Sequence, residues 1–411
     1  MKKSTKVNLS YGKNHLAIPG PSNIPQRVLQ AMNRPSPNIY GEEIESVTEK
    51  VMDGIAKFAN TSGKVIIYVS NGHGAWEASL VNLFRQGDKV LLCSTGHFGH
   101  KWGLIAKRLG LDLIHLDVGS ESVIDPNQIE EILRKDKNKD IKGVLSVYTD
   151  TSSSSKNQIQ DFKAAIDGAN HPALLVIDSI ASFACERIEM DSWGIDVLIT
   201  ASQKGLMTPP GLAYCILSER AQDYSRELNQ KNQIVSPYWD WQTRLNPEKF
   251  YNIFSGTPPT SLLFGQLEAL EMLLEEGRHN VFRRHELLSE MVWACIEHLG
   301  SNNGALSLNI KNKKHRSNAV TTVFSKGFDF SKAREWISDV GGVDIGVGLG
   351  FSSQELLEGR SVFRIGHMGH LNPHMVLGTL AMVEAGLSKF TIPFTPGGIE
   401  AATGHMIRNY N

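Results

Sequence analysis

Between residues 64 and 218, short apolar runs alternate with stretches whose apolar positions recur at helical spacing. The runs are Val65–Val69, Lys89–Cys93, Leu111–Leu116, Val144–Tyr148, Ala173–Ile177, Val197–Thr200 and Leu212–Leu217. Between them lie amphipathic segments such as Gly74–Arg85, Gly99–Leu109, Pro126–Arg134 and Gln158–Ala169. Continuous apolar strands joined by helices predict βαβ units and a mostly parallel, seven-stranded sheet covered on both faces. Ligands of such sheets bind beyond the carboxyl ends of the strands. Chemistry is therefore expected where each run ends: Asn71-Gly72-His73, Gly96–Phe98, Thr149–Ser154, Asp178 and Gln203-Lys204.

The pattern changes further along. Leu228–Pro258 mixes Trp239, Trp241 and three prolines and reads as an irregular connector. Two long helical patterns follow, Ser261–Glu276 and Val281–Leu299. Then come a strand over Ala319–Phe324, a helix over Ser331–Val340, a strand over Ser361–Ile365 and a helix over Pro373–Lys389, the less regular succession of an α+β unit. A chain of 411 residues exceeds one ordinary core. The expected division is an N-terminal arm over 1–27, a large α/β unit over 28–265 and a smaller C-terminal α+β unit over 266–411.

Composition narrows the partners. With 42 basic and 43 acidic side chains, the chain has no electrostatic footprint for nucleic acid or a membrane surface. No run approaches the ~20 apolar residues of a membrane span. The basic start, Met1–Lys6, is not followed by an apolar segment, so secretion is not expected. Cys93, Cys185, Cys215 and Cys295 lie far apart, which fits a reducing, cytoplasmic setting rather than a disulfide framework.

Lys204 follows an apolar strand, in Ser202-Gln203-Lys204-Gly205-Leu206. A Schiff-base lysine needs such a desolvated strand end, so that its amine is neutral often enough to attack a carbonyl; a solvated loop lysine is the bland alternative. Asp178 ends a purely apolar run 26 positions earlier. Taken alone it reads as a helix cap, but it could also pair with the ring nitrogen of a pyridine cofactor. The turn Asn71-Gly72-His73-Gly74 joins strand to helix and could cradle a phosphate, although tight turns also use glycine. Phe98 could stack on a flat cofactor or fill the core. Arg364, inside an otherwise apolar strand, needs an anion, either a substrate carboxylate or an internal partner. Gly346-Val347-Gly348-Leu349-Gly350 lacks the βαβ setting of a dinucleotide loop. The pairs His97/His100 and His367/His370 have HxxH spacing without a companion carboxylate motif, so no metal is expected.

Together these pieces resemble the class V, fold-type I pyridoxal-phosphate aminotransferases, in particular the serine/alanine–glyoxylate branch. The likeness runs from Asn14-His15-Leu16-Ala17-Ile18-Pro19-Gly20-Pro21 through Gly74-Ala75-Trp76-Glu77, Asp178-Ser179-Ile180-Ala181-Ser182 and Ser202-Gln203-Lys204-Gly205 to Val362-Phe363-Arg364-Ile365-Gly366-His367-Met368-Gly369. It implies pyridoxal 5′-phosphate as cofactor, with Lys204 forming the Schiff base and shuttling the proton. It further implies Asp178 on the pyridine nitrogen, Phe98 against the ring, Thr151 beside it, and Asn71, Gly72, His73 and Gln203 around the phosphate. Thr257 would reach in from the second subunit of a homodimer. Arg364 would clamp the substrate carboxylate, with Tyr40 near the substrate. Small amino acids and 2-oxo acids are the implied substrates, exchanged by ping-pong chemistry.

The chain also departs from the pattern. Asn71 stands where the family has serine, threonine or similar, Ser154 replaces a loop glycine, Gly256 replaces a tyrosine, and Ile39-Tyr40 replace an aromatic–Arg or His–Arg pair. A branch that transaminates pyridoxamine with pyruvate shares the Asp-Thr loop, Tyr40 and Gly398-Ile399-Glu400-Ala401-Ala402, but carries a glutamate at the position of Asn71 and an extra arginine in the loop before Arg364. Phe351–Gly359 offers no such arginine. Desulfurase chemistry needs a thiolate on a late loop, and no cysteine lies beyond residue 300.

Overall fold

The structure is a computed structural model that describes residues 9–231, 236–351 and 360–410. Its larger sheet is built from β2 (Lys64–Ser70), β3 (Lys89–Ser94), β4 (Asp112–Asp117), β5 (Ile141–Val147), β8 (Leu174–Asp178), β9 (Val197–Ala201) and β10 (Gly211–Leu217). These are the seven apolar runs of the sequence, and they lie in the order β2-β10-β9-β8-β5-β3-β4. Only β10 runs against its neighbours. A short hairpin, β6 (Thr149–Asp150) with β7 (Ser155–Lys156), follows β5.

Helices α3 (Gly72–Leu83), α4 (His97–Arg108), α5 (Pro126–Lys135) and α6 (Phe162–Gly168) connect these strands, and α7 (Glu219–Lys231) follows β10. The sheet faces bury apolar side chains in two clusters. One includes Ile67, Leu91, Val144 and Leu198, the other Ile66, Val90, Leu145 and Ile199. This is why neither face shows alternation. The helices outside the patterns read from the sequence include two ahead of the larger sheet. They are α1 (Gln26–Met32) and α2 (Glu42–Ala59), whose buried positions Ile44, Val47, Val51, Ile55 and Phe58 keep helical spacing behind an acidic first turn.

The connector forms a short helix, α8 (Trp241–Leu245), between two 3₁₀ turns. Long helices α9 (Thr260–Glu276) and α10 (Arg278–Leu299) lead into a second sheet. There β11 (Leu306–Leu308), β12 (Val320–Lys326), β13 (Val343–Val347) and β14 (Arg360–Gly366) pair antiparallel. The helices α11 (Ser331–Gly341), α12 (Pro373–Lys389) and α13 (Gly398–Asn409) complete this part around a separate apolar cluster. Its outermost strand is β1 (His15–Ala17), which pairs parallel with β13. The arm thus contributes a strand to the C-terminal sheet before the chain crosses to the larger one. Gly346, part of the glycine-rich string, sits in β13; a Cβ there would lie 2.6 Å from Pro19 Cδ, so glycine is the residue that lets the arm approach. Among the described residues no helix is long and apolar enough to cross a membrane.

Candidate active site

The carboxyl ends of the large-sheet strands converge on a cavity of about 320 Å³, lined by Gly72, His73, Phe98, Thr151, Gln203 and Lys204 among others. Asn71 and Asp178 lie in the same wall. A second cavity of about 470 Å³ shares Gly20, Phe98, Thr151 and Lys204 with the first and reaches Arg364 and Val347 of the C-terminal sheet. Lys204 therefore stands where two chambers meet, one against the large sheet and one between the two sheets.

Asp178 is the last residue of β8 and is buried. Its Oδ2 accepts from Trp76 Nε1 at 2.9 Å and its Oδ1 from the Ile180 backbone N–H at 2.6 Å. Burial nevertheless pushes its carboxyl up to about 7; the two hydrogen bonds pull the other way, and Asp150 adds to the rise. Lys204 lies three residues past β9, and its amine donates to the Pro19 carbonyl. Desolvation and the charge of Arg364 draw the amine down to about 8, against the opposing pull of Asp178. Gly20 makes room for this amine: a Cβ there would lie 2.6 Å from Lys204 Nζ.

The first turn of α3 forms one end of the cavity. Asn71 is its N-cap, accepting from the His73 N–H at 3.1 Å. A Cβ on Gly72 would overlap Ile180 Cδ1, so glycine lets the Ile180 side chain pack against the helix start without shifting. The His73 ring lies 4.6 Å from Trp76, and burial lowers its pKa. Two buried polar atoms in this wall, Thr149 Oγ1 and Gln203 Oε1, have no hydrogen-bond partner.

The loop after β5 joins the two chambers. Asp150 Oδ2 accepts from the Phe98 and Gly99 N–H groups at 2.9 and 3.1 Å, holding the start of α4 and with it the Phe98 ring. Its Oδ1 accepts from Ser152 N at 2.9 Å and Ser152 Oγ at 2.6 Å. Ser154, which stands where the resemblance expects a glycine, takes φ 59°, in the left-handed region. Its hydroxyl accepts from the Thr322 N–H at 3.1 Å, a bond glycine could not make and one that offsets the conformational cost. From the C-terminal sheet Arg364, buried at 7% exposure, donates from Nε to Val347 O at 2.7 Å and from Nη1 to Thr151 O at 2.9 Å. Burial lowers its pKa to about 10, opposed by Asp150.

The structure thus brings Asn71, Gly72, His73, Phe98, Thr151, Asp178, Gln203 and Lys204 to one cavity and Arg364 to the adjoining one. It does not bring in Tyr40 or Thr257. Tyr40 is 78% exposed, edge-on to Tyr251 at 6.1 Å, and Thr257 is exposed. Sequence reasoning gave no role to Trp76 and Asp150, which position Asp178 and Phe98. Trp76 was legible as the residue one helical turn after Gly72, on the face turned towards the sheet edge.

The family described as aminotransferase class-V matches residues 15–373, and the chain belongs to it. It is an aminotransferase of the fold-type I architecture. The serine–glyoxylate aminotransferase of Methylorubrum extorquens is 36% identical over 404 residues, covering 97% of both chains. Among solved structures, a ureidoglycine–glyoxylate aminotransferase from Bacillus subtilis superposes with a TM-score of 0.86 at 25% identity, covering 97% of this chain and 99% of that one. A pyridoxamine–pyruvate aminotransferase from Mesorhizobium loti gives 0.85 at 25% identity, covering 97% and 98%.

Proposed function

We propose that this aminotransferase holds pyridoxal 5′-phosphate through Lys204 and moves an amino group from serine or alanine to glyoxylate or pyruvate. The observation that carries the reading is the placement of Lys204 between two chambers, with Asp178 in one and Arg364 in the other. The residues present fit the cofactor. Asp178 is a buried carboxylate with two N–H donors and no direct ion pair among the described residues, and a protonated ring nitrogen is a partner that fits it. Gly72 leaves the α3 N-terminus open to an anion, and the unpartnered Gln203 and Thr149 oxygens call for a polar ligand.

When bound, the cofactor would supply an electron sink for the negative charge left on the substrate Cα. The chain's own groups do the rest. Asp178, steered by Trp76, keeps the ring nitrogen protonated. Phe98, fixed through Asp150, covers the ring. Lys204 Nζ, with its pKa drawn towards neutrality, would take the proton from the substrate Cα and hand it on to the cofactor side, the shuttle that amino transfer requires. Arg364, already oriented by Val347 and Thr151, binds the substrate carboxylate.

Exposed Tyr40 and Thr257 belong to this reading as residues that complete the site of a neighbouring copy in a homodimer. For the division into an arm (1–27), a large unit (28–265) and a small unit (266–411), the separate apolar clusters on the two sheets support two units, while the large-sheet cluster continues through Ala269, Leu273 and Val281 and the arm's Ala17 packs in the C-terminal cluster. A cytoplasmic setting is supported by four buried, free cysteines. The test is an amino-donor panel read by conversion of the bound cofactor's visible spectrum to the pyridoxamine form, followed by the return with each oxo acid. Serine or alanine should convert it fastest. Conversion by pyridoxamine and not by amino acids would favour the second reading, the activity named for the Mesorhizobium loti protein. No conversion by any amine would overturn both. Lys204→Ala should remove turnover and the cofactor's visible band; a coloured, active variant would refute the attachment.

A further inference from the structure

Away from the two chambers, the outer edge of the large sheet carries a cluster the aminotransferase reading does not use. His115 and Asp117 are two apart on β4, so their side chains leave the same face of that edge strand. His100 comes from α4, which packs against β3 and β4. A ring nitrogen from each histidine and a carboxylate oxygen of Asp117 all lie within 4.8 Å of one another, on an exposed surface. His100 Nε2 is 3.0 Å from Asp117 Oδ2. His115 Nε2 is 2.6 Å from the buried Ser94 hydroxyl, itself 3.4 Å from Asp117 Oδ1. The Gly119 N–H donates to Asp117 Oδ1 at 3.1 Å and fixes the carboxylate.

We propose that His100, His115 and Asp117 form a binding site for one divalent transition ion of the zinc type. Two imidazoles and a carboxylate are the donor set of such ions, whereas magnesium and calcium prefer all-oxygen shells. Bonds of about 2.0–2.2 Å place tetrahedral ligands roughly 3.4 Å apart. The donor atoms lie within 4.8 Å of one another, and rotations of these exposed side chains can close the difference. Three protein ligands leave a fourth position to water. The Gly119 N–H orients Asp117, and the Ser94 hydroxyl, held on His115 Nε2, orients that ring for binding through Nδ1. The HxxH spacing of His97 and His100 is not the pair that matters. His97 lies at the active-site end of α4, and the partners of His100 come from the neighbouring strand. A bound ion would pin the first turn of α4 to the sheet edge.

The test uses the untagged holoenzyme, stripped with a chelator and titrated with zinc chloride by calorimetry, and with cobalt chloride read by its visible absorption. The expected result is one equivalent bound per chain, with the cobalt spectrum of a four-coordinate nitrogen/oxygen site. His115→Ala and Asp117→Asn should each weaken binding at least tenfold while leaving the cofactor spectrum and turnover unchanged. Absence of saturable binding, or binding that is unaltered in both variants, would overturn the proposal. Because these side chains lie outside both chambers, neither result bears on the aminotransferase reading.

Discussion

At the scale of single residues, the site is two opposite perturbations produced by the same desolvation. Burial raises Asp178 to about 7 and lowers Lys204 to about 8, so each is driven towards its neutral form. In the cofactor-free protein the amine of Lys204 should therefore react with added cofactor at a rate that rises through about pH 8, not through the 10.5 of an ordinary lysine. Stopped-flow reconstitution between pH 6.5 and 10 measures this, and a rate still climbing at pH 10 would contradict it. Asp178→Asn should retain bound cofactor while kcat drops on the order of a hundredfold, since a preorganised charge partner is lost; wild-type turnover would refute the pairing. Arg364→Ala should raise KM for carboxylate substrates by roughly ten- to a hundredfold, the range of one charge-assisted hydrogen-bond pair. An unchanged KM would make Arg364 a structural clamp for Thr151 alone.

At the scale of elements, legibility followed periodicity. All seven apolar runs became strands of one sheet, six of them because strands buried on both faces announce themselves without alternation, while β4 is the half-exposed edge strand. The three-residue β1 did not. His15-Leu16-Ala17 has no pattern of its own, and it becomes a strand only because Val343–Ile345 offers an edge. β13 was hidden for a related reason: Val343–Val347 contains Gly346, whose missing Cβ reads as a loop but serves the close approach of Pro19. α2, by contrast, went unread although its apolar positions keep helical spacing. The active-site residues at strand ends, Asp150 among them, were readable from the topology rule, whereas the role of Asp150 was not, since it depends on the backbone N–H groups of α4, which no sequence spacing reveals. Asp150→Asn tests that role. The amide would turn an N–H towards donors or leave some of them unpaired, costing about 1–3 kcal/mol. Thermal melting should fall and cofactor affinity should weaken together, through Phe98. A lower melting temperature with intact affinity would confine Asp150 to folding.

At the scale of the whole molecule, the two sheets meet on a polar seam rather than on a continuous core. Thr322, Asn309 and Arg364 reach from the C-terminal part to the 150–155 loop through hydrogen bonds at 2.7–3.1 Å. Beside that seam the neutral His367 is locked, its Nδ1–H donating to Asn318 O at 2.9 Å and its Nε2 accepting from Thr321 Oγ1 at 2.8 Å, while Trp293 Nε1 donates to the same hydroxyl at 3.0 Å. Burial holds His367 down to about 4 and lowers His285 as well. Between pH 6.5 and about 4 the unfolded chain therefore binds a proton at residue 367 that the folded chain refuses. Stability must fall as pH drops through this window, by at most about 1.4 kcal/mol per pH unit from this group. Asp178 acts with the opposite sign in the cofactor-free protein: raised to about 7, it binds its proton in the folded state first and so favours folding as pH falls from 7 towards 3.8. The two contributions oppose each other between about pH 4 and 6.5, which makes the wild-type profile uninformative and the variants decisive. Urea unfolding of the cofactor-free chain at pH 6.5 and 4.5 should show a smaller acid loss for His367→Asn than for wild type, and a larger one for Asp178→Asn. Identical losses in all three proteins would mean that neither buried group governs the acid limb.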